Sequence, residues 1–414
     1  MTTQRTNDRM VIAALWLLMF SASSQLMILA PILPQVGKQL SIPESIQGTL
    51  ITAYALMLGV FAVVMGPISD KIGRRRILLW GTGSMAVALG LHNLVFDYSS
   101  FLIVRALAGA AGGVLSGASV AYVGDYFAYE RRGWANGWIA TGIAAGQILG
   151  VPLGTILSEW FGVNGPFSLF ALTMCAAFCL VLWFVPQPAV ARLNGRLTLR
   201  MAVRKYGYLL SHGSTASTAG VYFLMFMGFS LYVVYLPTWL ETTFGVNGHQ
   251  IASLFFVGGL ASVLTGPNAG RLSDRIGRRQ IIVASCIGLA AVMALTGVVL
   301  AEFWMSYILF IFLMMFVSAR ISPMQALISE IVPGKDRGAF MSLTIALGQV
   351  GMGLGGALAG PIYSNLGFFS NTIFGSLSVV LMAALVWWLI PEPKLSRQRV
   401  KVVETADLRE EAAA

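Results

Sequence analysis

Twelve apolar stretches, each about as long as a membrane-crossing helix, dominate this sequence. An α-helix needs about 20 apolar residues to cross roughly 30 Å of hydrocarbon. The stretches that meet this requirement lie at approximately 10–33, 47–69, 77–96, 100–124, 134–157, 166–187, 216–238, 250–270, 281–301, 304–326, 339–362 and 371–391. With 57% of the 414 residues hydrophobic and 11% charged, so much apolar surface cannot be hidden in a water-soluble core. Runs such as "VIAALWLLMF" do not alternate polar and apolar residues, so the sequence predicts an all-α membrane protein with twelve transmembrane helices.

The basic residues are distributed unevenly between the two sets of predicted loops. With the N-terminus placed inside, all but three of the 27 Lys and Arg residues lie in inner loops and tails. The exceptions are Lys38 in an outer loop and Arg105 and Arg320 within helices. The outer loops carry the acidic residues Glu44, Asp97, Glu159, Glu241 and Glu302. This bias predicts that both termini face the cytoplasm, and it favours membrane lipid over nucleic acid as the partner of the net charge of +10.

A polar connection after the sixth stretch divides the chain. It carries cations at a near-helical spacing, Arg192, Arg196, Arg200, Arg204 and Lys205. A step of four residues places them on one side of an amphipathic helix lying on the inner leaflet. We therefore predict an N-terminal six-helix bundle over 1–191, a cytoplasmic linker over 192–214, a C-terminal six-helix bundle over 215–392 and a cytoplasmic tail over 393–414.

The two predicted bundles repeat parts of each other. "GPISDKIGRRR" at 66–76 returns as "GRLSDRIGRRQ" at 270–280, each between the second and third helices of its bundle. Asp125 after the fourth helix corresponds to Glu330 after the tenth. In the fifth and eleventh helices, "AGQILG" aligns with "LGQVGM", which pairs Gln147 with Gln349. Parallel repeats of this kind fit a transporter whose site lies between two halves that rock about it.

These motifs resemble those of the major facilitator superfamily. Its loop signature, G-x-x-x-D-[RK]-x-G-R-[RK], is matched twice, by Gly66, Asp70, Lys71, Gly73, Arg74 and Arg75, and by Gly270, Asp274, Arg275, Gly277, Arg278 and Arg279. Arg105 resembles the arginine of the fourth-helix motif. The glycine-rich fifth-helix motif of proton-driven exporters is resembled by Gly137, Gly146, Gly150, Pro152 and Gly154. Val151 stands before the proline, as in the sugar-efflux and drug-antiporter-like branch.

The resemblance covers essentially the whole chain and implies a particular architecture and mode of action. It implies two pseudo-twofold-related six-helix bundles, a monomer, and alternating access. It also implies proton antiport, although many relatives carry a carboxylate in an early helix where this chain has Gln25. A group that titrates when desolvated is needed for coupling, and Asp70, Asp125 and Glu330 are the candidates.

The repeated loop motif predicts a gate at the inner face. Asp70 and Asp274 lie beside several arginines, where ionic hydrogen bonds and a helix N-terminus could latch the two halves together. Asp125, Glu130 and Glu330 are expected partners of these arginines. The alternative is an anchoring loop that only follows the orientation rule.

Small residues in the fifth helix predict close helix packing. Gly142, Gly146 and Gly150 are four residues apart, so a neighbouring helix can approach closely, and Pro152 removes a backbone hydrogen bond and can bend the helix. Such a helix can pivot. The simpler interpretation is that these residues only pack membrane helices.

Two arginines and several neutral polar residues are predicted to line a pathway. Charges inside a bilayer are costly, which makes Arg105 and Arg320 functional candidates, although Arg105 could also reach water at the outer end of its helix. The neutral candidates are Gln25, Thr141, Gln147, Tyr232, Tyr235, Asn268 and Gln349. A cavity of aromatic and amide groups suits an amphiphilic organic molecule. Hydrogen bonding between helices and ordinary packing are the alternatives.

No catalytic signature accompanies these features. The sequence contains no H-E-x-x-H, G-x-S-x-G or P-loop motif, so we predict no enzyme activity, no metal and no cofactor. The prediction is a secondary carrier in a bacterial inner membrane that exports a small organic or drug-like solute against proton entry. Uptake or facilitated diffusion of an anionic metabolite is the alternative, and a membrane receptor or sensor is a more distant one.

Overall fold

The protein is an all-α membrane protein of twelve spans. A computed structural model describes residues 2–188, 199–332 and 334–390. The helices of the first half and the linker are α1 (Thr2–Met27), α2 (Leu29–Gln39), α3 (Glu44–Gln47), α4 (Thr49–Ile72), α5 (Arg74–Leu91), α6 (Tyr98–Leu115), α7 (Ala118–Tyr126), α8 (Tyr129–Ala145), α9 (Val151–Phe161), α10 (Asn164–Phe184) and α11 (Leu199–Leu210). The second half contains α12 (Gly213–Val233), α13 (Leu236–Phe244), α14 (Gly248–Ile276), α15 (Arg278–Val299), α16 (Phe303–Ala319), α17 (Ile321–Ile331), α18 (Gly334–Leu366) and α19 (Phe368–Leu389).

Twelve helical stretches in the described part of the chain are long and apolar enough to cross a membrane, which confirms the predicted number of spans. They are Asp8–Met27, Glu44–Met65, Arg74–Leu94, Tyr98–Leu115, Arg131–Phe161, Asn164–Phe184, Gly213–Phe244, Gly248–Ile276, Arg278–Val299, Phe303–Ile328, Asp336–Leu366 and Phe368–Leu389. Large apolar side chains remain exposed on their outer surface, as for Trp183 and Trp388, which are 72% and 77% exposed. A bundle in lipid has no reason to bury such groups.

Several spans are broken, and proline explains most of the breaks. Proline lies within the first three residues of α2, α9, α13 and α17, as Pro31, Pro152, Pro237 and Pro323. Because proline has no N–H, the carbonyl four residues earlier loses its helical partner. In three spans, the residue four before the proline is also the last residue of the preceding helix. These residues are Met27 at the end of α1, Val233 at the end of α12 and Ala319 at the end of α16. Pro267 and Pro361 lie inside the continuous helices α14 and α18, so proline alone does not dictate a break.

The fifth and fourth spans are interrupted in other ways. In the fifth span the helix loosens into a π-helical segment, Gly146–Gly150, which contains the residue four before Pro152. The fourth span ends earlier than the predicted residue 124 because Ser116 leaves the helix and Gly117 takes a φ of 74°. The tenth span breaks at Arg320, 204 residues after Ser116, so the interruption recurs in both halves.

Successive spans cross in opposite directions, so the two copies of the loop motif lie at one end of the bundle. We call this the motif end, defined by residues 66–76 and 270–280, and the opposite end, with residues 40–48 and 244–249, the far end. Within the motif, Gly73 and Gly277 have φ of 107° and 121°. Such angles are accessible mainly to glycine, and this explains glycine between the aspartate and the arginines in both copies.

Candidate functional site

The two copies of the loop motif make the same ion pairs. Arg74 Nε lies 2.7 Å from Asp125 Oδ2. In the second half, Arg278 Nη1 lies 2.5 Å from Glu330 Oε1, and Nη2 lies 3.6 Å from Asp274 Oδ1. Each of these pairs joins two helices of one half and does not join the two halves to each other. A latch made by these residues would therefore hold the helices of each half in place, in contrast to the direct bridge between halves that the sequence analysis expected.

The neighbouring arginines also occupy matching positions. Arg75 Nη2 donates to Leu182 O at 2.7 Å, which ties the third span to the end of the sixth. The Arg279 guanidinium lies 4.4 Å from the ring centre of Trp387, at the end of the twelfth span. Leu182 and Trp387 are 205 residues apart, so a hydrogen bond in one half is replaced by a cation–π contact in the other.

The remaining motif residues have simpler surroundings or lie outside the described side chains. Lys71 and Arg275 are exposed. A Cβ at Gly270 would meet Ser322 Oγ at 2.8 Å, so this glycine lets α14 approach α17. The backbone places Gly66 and Asp70 in α4 and Glu130 in α8. The surroundings of Gly66 and the side chains of Asp70 and Glu130 are not among the parts that the structure describes.

Sequence reasoning missed a buried carboxylate at the motif end. Asp8 is only 6% exposed, and its Oδ2 lies 2.5 Å from Arg131 Nη1. Tyr126 OH donates to Asp8 Oδ1 at 3.1 Å. Burial and then the neighbouring Asp8 raise the pKa of Tyr126, so the hydroxyl keeps its proton. The contact joins the start of the first span to the start of the fifth, and only its position before the first apolar stretch could have signalled it.

A second buried cluster surrounds Arg105 inside the first half. Arg105 is 1% exposed, which excludes a side chain that reaches water. Its Nη1 donates to Gln25 Oε1 at 3.4 Å, and its guanidinium lies 4.5 Å from the ring centre of Tyr54. Gln25 Nε2 in turn donates to Tyr54 OH at 2.6 Å. Arg105 Nε has no hydrogen-bond partner in the described part of the chain. The groups that contact the guanidinium in the described structure are an amide and a phenol ring, so none of these partners carries a negative charge.

Arg320 is equally buried but has a different environment. It is 1% exposed, with Nη2 3.5 Å from Met225 O and Nη1 3.8 Å from Met382 Sδ. These contacts place it among the seventh and twelfth spans of the second half. It corresponds in the repeat to Ser116 and not to Arg105, and each arginine contacts helices of its own half.

The neutral candidates separate into groups. Tyr235 contacts the other half, since its hydroxyl accepts from Gly48 N at 3.1 Å and donates to Glu44 O. Gln349 packs near Gly59 of the second span, and its Oε1 has no partner in the described residues. A Cβ at Gly259 of the eighth span would lie 3.4 Å from Gln147 O.

Three other candidates make hydrogen bonds within their own half in the described part of the chain. Thr141 accepts from Trp16 Nε1 at 3.0 Å, and Asn268 Nδ2 donates to Leu264 O of its own helix at 2.9 Å. Tyr232 OH lies 3.0 Å from Thr296 Oγ1, and both residues line a small pocket within the second half. These three residues do not form one site with Tyr235 and Gln349.

The fifth-span glycines pack against the first span. Gly142 and Gly146 approach the backbone so closely that an added Cβ would lie 2.7 Å from Trp16 O and Phe20 O, respectively. Ser24 Oγ donates to Gly146 O at 3.3 Å, at the start of the π-helical segment. Ser24 thereby supplies a hydrogen bond where the regular helical ladder is disturbed.

The other residues of that motif do not all share this role. A Cβ at Gly150 would overlap the side chain of Ser24, and one at Gly154 would lie 2.5 Å from Ile28 Cδ1. Pro152 is the second residue of α9. At Gly137 an added Cβ would meet nothing within 4 Å, so in the described structure this glycine does not make a close helix contact like those of Gly142 and Gly146.

The two halves touch at the far end. Lys38 pairs with Glu241 across the halves. Thr52 Oγ1 donates to Gly353 O at 2.6 Å. A Cβ at Gly48 would overlap Gly356 O, so the second and eleventh spans meet backbone to backbone there. The structure therefore represents a form in which the far end is closed by direct contacts between halves.

The sequence model of the Major Facilitator Superfamily matches residues 15–214 and 218–411. The chain belongs to the major facilitator superfamily. Among curated members, the uncharacterized MFS-type transporter YceJ of Bacillus subtilis (strain 168) is 26% identical over 379 residues, covering 90% of this chain and 94% of the relative. The multidrug resistance protein MdtG of Dickeya zeae (strain Ech586) is 25% identical over 409 residues, covering 94% and 96%. The family and these relatives are transporters, so this superfamily member is a transporter and not an enzyme.

Solved structures of the superfamily show the same fold. A D-xylose-proton symporter matches with a TM-score of 0.75 at 18% identity, covering 94% of this chain and 98% of the symporter. The human organic anion transporter MFSD10 matches with a TM-score of 0.69 at 18% identity, covering 92% and 99%. At 18% identity the similarity shows a common fold, and it does not assign the substrates of those two proteins to this chain.

Proposed function

We propose that this superfamily member exports a small organic or drug-like solute from a bacterial cytoplasm by alternating access, in exchange for protons. The observation that carries the proposal is the set of contacts between halves at the far end, including Lys38 with Glu241 and Tyr235 with Gly48. A carrier must close one end while the other exchanges solute. The names of the multidrug resistance relatives support an organic, drug-like substrate.

The orientation of the bundle is part of the proposal. The motif end carries the Lys- and Arg-rich loops, and such loops are retained in the cytoplasm during insertion. The motif end is then cytoplasmic and the far end faces outward. In this orientation the outer end of the carrier is closed, so the structure corresponds to an inward-facing form. We propose that the protein is a monomer in which residues 1–191 and residues 215–392 move relative to each other as two units.

Proton coupling is proposed to use carboxylates near the motif end. The buried Arg105 has Gln25 as its polar neighbour, and an amide does not titrate. Asp8 and Asp125, by contrast, are hydrogen-bonded to arginines in the first half, and Glu330 repeats the second of these pairs. A proton on one of these carboxylates would weaken its arginine contact and loosen that half.

A second candidate function follows from the buried arginines. In the described structure, the contacts of Arg105 and Arg320 are to amide, aromatic, carbonyl and sulfur groups, with no carboxylate among them. A buried cation without a carboxylate can be neutralised by an anionic solute. Uptake or facilitated diffusion of an anionic metabolite is therefore the alternative.

Transport into vesicles tests the two candidates. Purified protein in lipid vesicles with an imposed pH gradient would be supplied with cationic drugs, neutral amphiphiles and organic anions. We expect saturable, gradient-driven accumulation of a cationic or neutral compound, which collapses when an ionophore removes the gradient. Accumulation that ignores the gradient would contradict proton antiport, and flux restricted to anions would favour the alternative.

A matched control variant distinguishes carrier flux from leakage. The far end of a Gly48→Leu variant should not close, because the new side chain would overlap Gly356 O. We expect this variant to lose accumulation while it still elutes as a folded protein in size-exclusion chromatography. Equal flux through the variant would show that the measured flux does not depend on closure of the far end.

A further inference from the structure

One contact between the halves involves a histidine. His249, at the start of α14 in the second half, places Nε2 2.9 Å from Oε2 of Glu159, at the end of α9 in the first half. We call these two residues the far-end pair. The His249 side chain is 51% exposed and that of Glu159 is 20% exposed, so water and protons reach the pair. A Cβ at Gly248 would overlap the Glu159 carboxylate, so the glycine before the histidine makes room for it.

The other contacts between halves at this end do not change charge near neutral pH. Lys38 on α2 pairs with Glu241 on α13, and lysine and glutamate are residue types that ordinarily do not titrate near neutral pH. The Thr52 contact with Gly353 and the Tyr235 contact with Gly48 are hydrogen bonds between neutral groups. Histidine differs from all of these because its charge ordinarily changes between about pH 5 and 8.

The surroundings of the far-end pair contain few other ionisable groups. On α16, Tyr307 OH lies 2.6 Å from Ser253 Oγ, and Glu302 precedes that helix. Lys38 on α2 is engaged with Glu241. On α15 and α17, the ion pair of Arg278 with Glu330 lies at the motif end, and Cys286 is buried within its span beside Met382.

We propose that the far-end pair is a pH-sensitive contact that holds the far end closed when His249 is protonated. The pair is ionic only with a protonated imidazole, and it can exist only while the halves touch. A contact that binds a proton more tightly in the closed form than in the open form shifts the equilibrium toward closure as the pH falls. With the orientation proposed above, external acid favours the form closed to the outside.

This inference rests on the alternating-access part of the proposed function and does not depend on proton antiport or on the solute. It gives the chain a way to sense the proton concentration on the outer side without a buried carboxylate. A proton taken up at the outer surface would promote closure of the far end, the step that precedes reopening of a carrier toward the cytoplasm.

A distance measurement between the halves tests the proposal. Spin labels at Ser99→Cys and Ala301→Cys would lie on exposed far-end positions of different halves, after replacement of Cys175, Cys179 and Cys286 by serine. Electron–electron distance distributions in lipid nanodiscs would be compared at about pH 6 and about pH 8, on either side of ordinary imidazole titration. We expect the ratio of closed to open populations to fall about two- to fivefold at the higher pH, the range of exposed ion pairs.

Substitutions in the pair identify the responsible group. His249→Gln and Glu159→Gln should each remove the pH response, and His249→Lys should keep the far end closed at both pH values because lysine stays charged. His212→Gln, at an exposed histidine on the motif end, serves as the matched control and should retain the response.

A response that survives both glutamine substitutions, or equal populations at the two pH values in the otherwise unchanged protein, would overturn the proposal. Loss of proton antiport in vesicles would leave these distance distributions unaffected. The two proposals can therefore fail independently.

Discussion

The two halves of the molecule agree at the motif end and differ in their interiors. Arg74 with Asp125 and Arg278 with Glu330 are the same contact, 204 to 205 residues apart. The fifth span contains the π-helical segment Gly146–Gly150, but the eleventh is one continuous helix, α18. The two halves therefore share their ion pairs at the motif end, but their fifth and eleventh spans differ in helix geometry.

The difference between the fifth and eleventh spans has a physical cause. Pro152 withholds an N–H from the residue four before it, within the π-helical segment, and no proline occupies the corresponding part of α18. Close packing nevertheless recurs, since a Cβ at Gly351 would overlap Phe223 O as one at Gly146 would approach Phe20 O. Gly351 therefore approaches the backbone of the seventh span as Gly146 approaches that of the first, whereas Gly348, which the sequence "GQ" aligns with Gly146, faces the Phe226 ring.

The buried arginines differ most between the halves, and exchanging them for methionine gives the largest expected effect. Arg105→Met removes a buried cation hydrogen-bonded to Gln25, and we expect vesicle transport to fall at least about thirtyfold, equivalent to about 2 kcal/mol. Arg320→Met should keep transport within about twofold, because methionine suits a site bordered by Met382 and removes an unpaired charge.

The matched pair of variants also distinguishes loss of function from loss of folding. Thermal unfolding in detergent should show Arg320→Met to be as stable as the unchanged protein or more stable. If both variants lose transport equally while both remain folded, the interiors of the two halves are functionally equivalent and the comparison fails.

Glycine substitutions sharpen the comparison with a smaller effect. Gly146→Ala places a methyl group 2.7 Å from Phe20 O, a backbone atom that cannot move independently, and should lower the free energy of unfolding by about 1–2 kcal/mol. Gly348→Ala meets the Phe226 ring at 2.8 Å, and a ring can turn aside, so the expected cost is below about 1 kcal/mol.

Gly351→Ala completes the series. It should cost at least as much as Gly146→Ala, because its methyl group would overlap Phe223 O. Denaturant unfolding monitored by tryptophan fluorescence supplies the free energies. A larger cost at Gly348 than at Gly351 would contradict the expectation that contact with a backbone atom costs more than contact with a ring.

The sequence predicted the fold well because hydropathy is a local property. Twelve apolar stretches can be recognised without knowing which helices touch. The repeated loop motif likewise predicts that the same loop structure occurs once in each half. Breaks were harder, because Pro323 interrupts the tenth span but Pro267 lies in the continuous α14. Whether neighbouring groups compensate for a lost backbone hydrogen bond depends on helix packing, which the amino-acid sequence does not show directly.

The candidate site was only partly predictable for a related reason. Charge and spacing identified Arg74, Arg278 and their acidic neighbours, but not that each pair stays within its own half. Asp8 was missed because a carboxylate before the first apolar stretch is typical of a tail. The far-end contact of Lys38 with Glu241 joins residues 203 apart in sequence, and neither lies in a motif.

The ion pairs at the motif end give the smallest expected effect and the closest test of equivalence between halves. Asp125→Asn and Glu330→Gln should each lower stability by less than about 1 kcal/mol, because the partners are partly exposed and screened. Since each pair lies within one half, the double variant should equal the sum of the single ones within about 0.5 kcal/mol. Lys71→Gln, at an exposed cation of the same loop, is the control and should change stability little.

Additivity is the informative quantity in this last experiment. Arg74 with Asp125 lies in the first half and Arg278 with Glu330 in the second, so removing one pair is expected to leave the other unchanged. A coupling free energy well above about 0.5 kcal/mol, measured by thermal unfolding of the four proteins, would mean that the pairs communicate across the halves. In that case the motif end would act as one gate spanning both halves, and the recurrence of Arg74 with Asp125 in Arg278 with Glu330 would reflect a joint function and not parallel local ones.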